Sequence, residues 1–125
     1  MTSLLAAFLI AHGVIHLAIW LPPPQPQGQA TFAPDDSSVL TRTRIPRSAA
    51  HRLSVQLAGA TTVAYVAAGL AVALGSSWSV ALAAAAAVAG LGLKTLFFNR
   101  WLSVGILLDA LVLSAAVLGW PVNLT

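Results

Sequence analysis

Four runs of apolar residues, each about twenty or more long, are separated by one long polar stretch and two short breaks along the 125-residue chain. The first extends from Ser3 to Leu21 and stops at Pro22-Pro23-Pro24, where the missing amide hydrogens and ring clashes end a helix sharply. The second begins after Pro46, with Ser48 placed as an N-cap, and continues to Leu74. Gly75-Ser76-Ser77 makes an uncharged turn, and the third run covers Trp78 to Phe98. Asn99-Arg100 breaks it from the fourth, Trp101 to Trp120, which ends at Pro121. About twenty apolar residues cross the hydrocarbon of a bilayer as a helix. The pattern predicts an all-α membrane bundle of four spans, about 3–21, 48–74, 78–98 and 101–120, forming one domain.

Composition supports that class. Hydrophobic residues make up 58% of the chain and charged ones 7%, with a mean hydropathy of +0.88. A soluble domain of this size needs far more charge to cover its surface. With no cysteine, disulfides, thiolate metal sites and cysteine nucleophiles are excluded. The first run lacks a basic n-region, so it reads as a retained helix rather than a signal peptide.

Charge placement sets the expected topology. The net charge of +3 does not point to nucleic acid, because every basic residue flanks an apolar run. Arg42, Arg44, Arg47 and Arg52 lie in or beside the first connection, and Lys94 and Arg100 beside the third. The positive-inside rule makes those connections cytoplasmic and places both termini outside, in a cytoplasmic inner membrane. Trp20 and Trp101 then fall at the inner interface, and Trp78 and Trp120 at the outer. Lys94, one turn inside its helix, is expected to snorkel to the inner surface. Residues 22–47 form a Pro- and Arg-rich loop, read as a solvated linker, in which Asp35 to Ser38 could cap a short turn.

Small residues recur at four-residue spacing as Ala60, Ala64 and Ala68 on the second helix and Ala86 and Gly90 on the third. Such stripes let helix backbones approach in lipid. They are the candidate faces for a homo-oligomer or a partner membrane protein.

Three ionisable residues lie deep in the apolar runs. His12 and His16, at i and i+4, share one helix face. Asp109 lies ~12 Å into the fourth helix, while His16 and His12 lie ~7 and ~13 Å from the same surface. An unpaired mid-span carboxylate costs about 2.5–3.5 kcal/mol, so Asp109 is expected to meet the histidines. On that pairing, Asp109→Leu should rescue His12→Ala. Tyr65, mid-span on the second helix, needs a partner for its hydroxyl and is the fourth candidate. Thr61 and Thr62 are expected to bond back to their own helix, and His51 to be solvated beside Arg47 and Arg52. Gly13 and Gly105 leave room beside the cluster for a helix or a ligand.

Three chemistries fit this set. The pair could only fix helix 1 against helix 4. It could be a protonatable site for a bound or transported small molecule or proton. Or His12, His16 and Asp109 could ligate a divalent metal such as zinc or iron. No phosphate loop, nucleophile elbow or catalytic carboxylate pair is present, so the sequence gives no positive sign of an enzyme.

The string His12-Gly13-Val14-Ile15-His16-Leu17 resembles the HG-x-[IV]-H-L signature in the first helix of small, uncharacterised four-span bacterial membrane proteins. Phe97-Phe98, and Gly105 four residues before Asp109, are similar to that group's last-helix pattern, although Asn is more usual at the Asp109 position and the first loop is shorter. The resemblance implies the four-span fold and no particular activity.

Overall fold

A computed structural model describes residues 1–21 and 42–119. The described residues form four α-helices and no strand: α1 (Thr2–Trp20), α2 (Arg47–Ala73), α3 (Ser79–Leu96) and α4 (Ser103–Val117). Each is long and apolar enough to cross a membrane once the 3-10 turn Arg100–Leu102 is counted with α4. Residues 22–41, with Asp35 to Ser38, and residues 120–125, with Trp120, lie outside the described part.

Helix ends differ from the expected ones for local reasons. Pro46, rather than Ser48, is the N-cap of α2, and its carbonyl accepts from the Ala49 and Ala50 amides at 3.0 Å each. The fourth span starts as a 3-10 turn because the Asn99 side chain accepts from the Trp101 amide at 3.1 Å. It ends three residues early, where Gly119 takes a left-handed φ of 71°, a conformation that terminates helices.

Consecutive helices pack against each other, α1 on α2, α2 on α3 and α3 on α4. As the expected meeting of Asp109 with the histidines requires, side chains join α1 and α4 across the middle. At one end Trp20, Ala50, Ala58, Leu93, Phe97 and Leu102 form an apolar cluster. At the other, Leu9, Tyr65, Ala68 and Ala86 form a second. The polar residues lie between the two.

Glycine sets the helix registers. A methyl group added at Gly13 would stand 2.7 Å from Tyr65 Cβ and 3.2 Å from the Thr62 carbonyl, and one at Gly69 would stand 2.9 Å from the Ala6 carbonyl. Both are close approaches of α1 to α2 that no other residue permits. Gly13→Ala is therefore expected to cost about 1–3 kcal/mol by overpacking. Gly59, on the same pair of helices but with nothing within 4 Å, is expected to gain about 0.5–1 kcal/mol on replacement by alanine. Thermal unfolding of the two variants in detergent checks the contrast.

The small-residue stripes serve the fold itself. Ala68, Ala86 and Gly90 are buried inside the single chain, Ala64 is half-buried, and only Ala60 is exposed. Large apolar residues such as Val14, Val63, Val88, Leu107 and Leu111 face outward, as lipid-facing surfaces do.

Candidate functional site

The centre of the bundle holds His12, His16, Tyr65, Lys94 and Asp109, none more than 5% exposed. Asp109 is the hub. Its Oδ1 accepts from Tyr65 Oη at 2.6 Å and from His12 Nε2 at 2.8 Å, and its Oδ2 accepts from Lys94 Nζ at 2.5 Å. Three donors from three different helices thus converge on one carboxylate. The lysine ammonium balances its charge, as a buried carboxylate requires.

Hydrogen-bond logic fixes the histidine tautomers. His16 Nδ1 lies 2.8 Å from the His12 carbonyl, which can only accept, so Nδ1 carries the proton. Nε2 of the same ring then accepts from Lys94 Nζ at 2.7 Å. His12 donates through Nε2 to the carboxylate, which leaves Nδ1 as a lone-pair nitrogen in the neutral ring. Within the cluster the Lys94 and Asp109 charges cancel. The rings are tightly arranged: His12 and Tyr65 meet edge to face at 4.8 Å, and His16 lies nearly parallel to Tyr65 at 5.6 Å.

The α3 and α4 helices cut space for each other's charged side chain. Gly90 and Lys94 are one turn apart on α3, as are Gly105 and Asp109 on α4. A methyl group at Gly90 would stand 2.8 Å from Asp109 Cγ, and one at Gly105 would stand 2.7 Å from Lys94 Cε. Each glycine receives the ion from the opposite helix, so the antiparallel register and the ion pair enforce one another. The ligand for which Gly105 leaves room is the Lys94 stem.

Sequence reasoning brought His12, His16, Tyr65 and Asp109 to one place, and the structure does so too. It missed Lys94. The expected snorkelling to the surface is corrected here: Lys94 turns inward and is 2% exposed. Buried Asp109 needs a compensating cation, and Lys94 supplies it. The two Gly-x-x-x-ion pairs were the signal that could have found it. Trp20 is also buried, edge to face with Phe97 at 5.4 Å, rather than presented to an interface. Trp78 and Trp101 are exposed, as are Arg42, Arg44, Arg47, His51, Arg52 and Arg100. Thr61 bonds back to Leu57 as expected, whereas Thr62 crosses to the Gly13 carbonyl at 2.9 Å, which the bare glycine leaves open.

No family model, curated protein or solved structure matches this chain.

The donor atoms of His12, His16 and Asp109 lie within 4.8 Å of one another, close enough to surround a metal ion. The Lys94 ammonium already touches two of the three residues, His16 and Asp109. It holds the cation position, so the set fits a metal only with Lys94 withdrawn.

Beside the cluster, toward the Met1 end, lies a cavity of about 320 Å³. Its walls are almost wholly apolar, from Leu5, Phe8 and Leu9 of α1 to Leu108, Leu111 and Val112 of α4, closed by Val72 of α2 and Ala83 of α3. It fills the gap that α1 and α4 leave by not packing together. Phe8 belongs to both regions: it lines the cavity and lies nearly parallel to the His12 ring at 5.7 Å.

Tyr65→Phe removes one of three donors to a charged acceptor. The expected loss is about 1.5–2 kcal/mol, read as a lower melting temperature in detergent. A change within error would show that the hydroxyl does not hold the carboxylate.

Proposed function

We propose that this is a polytopic membrane protein that binds a small lipid-soluble molecule in the cleft between α1 and α4 and exchanges a proton with it, or passes one on, through the His12–Asp109–Lys94 cluster. The observation that carries this reading is the adjacency of an apolar cavity to a buried network of five hydrogen-bonding side chains. Ionisable residues at membrane depth are expensive and usually serve a site, and apolar cavities with a few convergent polar groups are the usual form of ligand sites. Among the described residues, the cavity walls offer a hydrated solute almost no polar lining. A molecule arriving sideways from the bilayer needs none. The cytoplasmic membrane, with the Arg-rich connections inside, remains the proposed location.

The second reading is structural, favoured by the extent to which the cluster satisfies itself: the Asp109 carboxylate has three donors and His16 uses both ring nitrogens. In that case the network fixes four helices and the cavity holds only lipid tails.

Organic extraction of purified protein, followed by mass spectrometry, separates the two. Wild type is expected to retain a discrete small molecule that Ala115→Trp, which fills the cavity wall, loses. Identical inventories dominated by bulk lipid would favour the structural reading.

A further inference from the structure

Three of the cluster's hydrogen bonds converge on Asp109, and one acceptor is left over. His12 presents Nε2–H to the carboxylate, while among the described residues no hydrogen bond reaches its Nδ1. His12 is 5% exposed, and Nδ1 keeps part of that accessible surface. A carboxylate bonded to one nitrogen of an imidazole fixes the tautomer and makes the other nitrogen the better base. His12 is therefore an oriented acceptor, with the Phe8 ring nearly parallel to it and Phe8 itself one of the residues that line the cavity.

We infer that the cleft takes a lipophilic molecule bearing an O–H donor, of the phenol or alcohol class, whose hydroxyl hydrogen-bonds to His12 Nδ1 once Phe8 turns aside. This rests on the binding reading above and names its ligand class. A carbonyl or ether oxygen is excluded as the anchoring group, because a lone-pair nitrogen cannot donate to it. A carboxylate is excluded as well, since it would bring a second negative charge beside Asp109 with no further cation in the cluster. The apolar walls take the hydrocarbon part of the molecule.

The test compares 4-butylphenol with 4-butylanisole, which differ only in the donor, at equal membrane concentration on ¹⁵N-histidine-labelled protein in nanodiscs. The phenol is expected to bind about tenfold more tightly, the worth of one buried hydrogen bond, and to shift the His12 Nδ1 resonance, whereas the anisole leaves that resonance in place. Ala115→Trp, at the far end of the cavity from the cluster, is expected to lose both ligands while its His12 signal and melting temperature stay near those of wild type. Equal affinity for both compounds, with no Nδ1 shift, would overturn the donor assignment and leave the cleft as a binding site. Binding of neither compound to wild type would overturn the cleft reading together with this one.

Discussion

Lys94→Met is expected to cost about 3–5 kcal/mol of stability, because it strands the Asp109 carboxylate inside the bundle. Methionine keeps the stem that lies on Gly105 and removes only the ammonium, so the loss reports charge rather than packing. Asp109 is 0% exposed and Lys94 2%, so both charges lie away from water and depend on each other. Asp109→Asn alone is expected to be similarly harmful, since it leaves the ammonium with His16 as its one other partner in the cluster. The double variant Lys94→Met with Asp109→Asn removes both charges, and the asparagine oxygen still accepts from Tyr65 and His12. It is expected to be more stable than either single variant. Denaturant or thermal unfolding of the four proteins in one detergent measures the coupling; additive losses would show that the ion pair does not stabilise the bundle.

That cycle replaces the one the histidine spacing alone suggests. Were Asp109 paired only with histidine, Asp109→Leu would rescue His12→Ala by removing the stranded carboxylate. With Lys94 in the cluster, Asp109→Leu strands the ammonium instead, so the rescue is expected to fail unless Lys94 is neutralised too.

The reason Lys94 was hidden is physical. Hydropathy and span length make the four helices legible, since each must bury its backbone bonds in a run of about twenty apolar residues. Depth along a helix is legible at 1.5 Å per residue, and it brings Asp109 level with the histidines. Direction is harder to read. A lysine one turn from a helix end can reach water or the core with the same backbone, because its four-carbon stem spans either distance. Which way it turns depends on the neighbouring helix, and only the pairing of Gly90 and Gly105 with the ions across from them decides it. Trp20 was misplaced for a related reason: its position near a helix end fits an interfacial ring, but the opposite wall supplies Phe97. The cavity could not be read from the sequence, because it arises where α1 and α4 fail to pack and leaves no mark on either helix alone.

The last expected result concerns the cation position itself. Lys94→Ala should lose stability as Lys94→Met does, and Zn²⁺ or Co²⁺ should restore it in the variant while leaving wild type unchanged. Removing the whole side chain vacates the space between His16 and Asp109 and leaves donor atoms of His12, His16 and Asp109 within 4.8 Å of each other. Two imidazoles and a carboxylate are a set that divalent zinc or cobalt accepts, with water in the remaining position. The metal also returns the positive charge that Asp109 has lost. At a hundred times its dissociation constant, a ligand bound only by the folded state adds about 2.7 kcal/mol, more than half of the expected loss. Melting curves over a metal titration supply the measurement, and the visible spectrum of the Co²⁺ form reports whether the coordination is tetrahedral. Equal stabilisation of wild type would mean that the ammonium does not hold the site against a metal. No stabilisation of the variant would mean that the three donors do not converge on one ion, and the cluster would then be matched to the lysine of its own chain and to nothing larger.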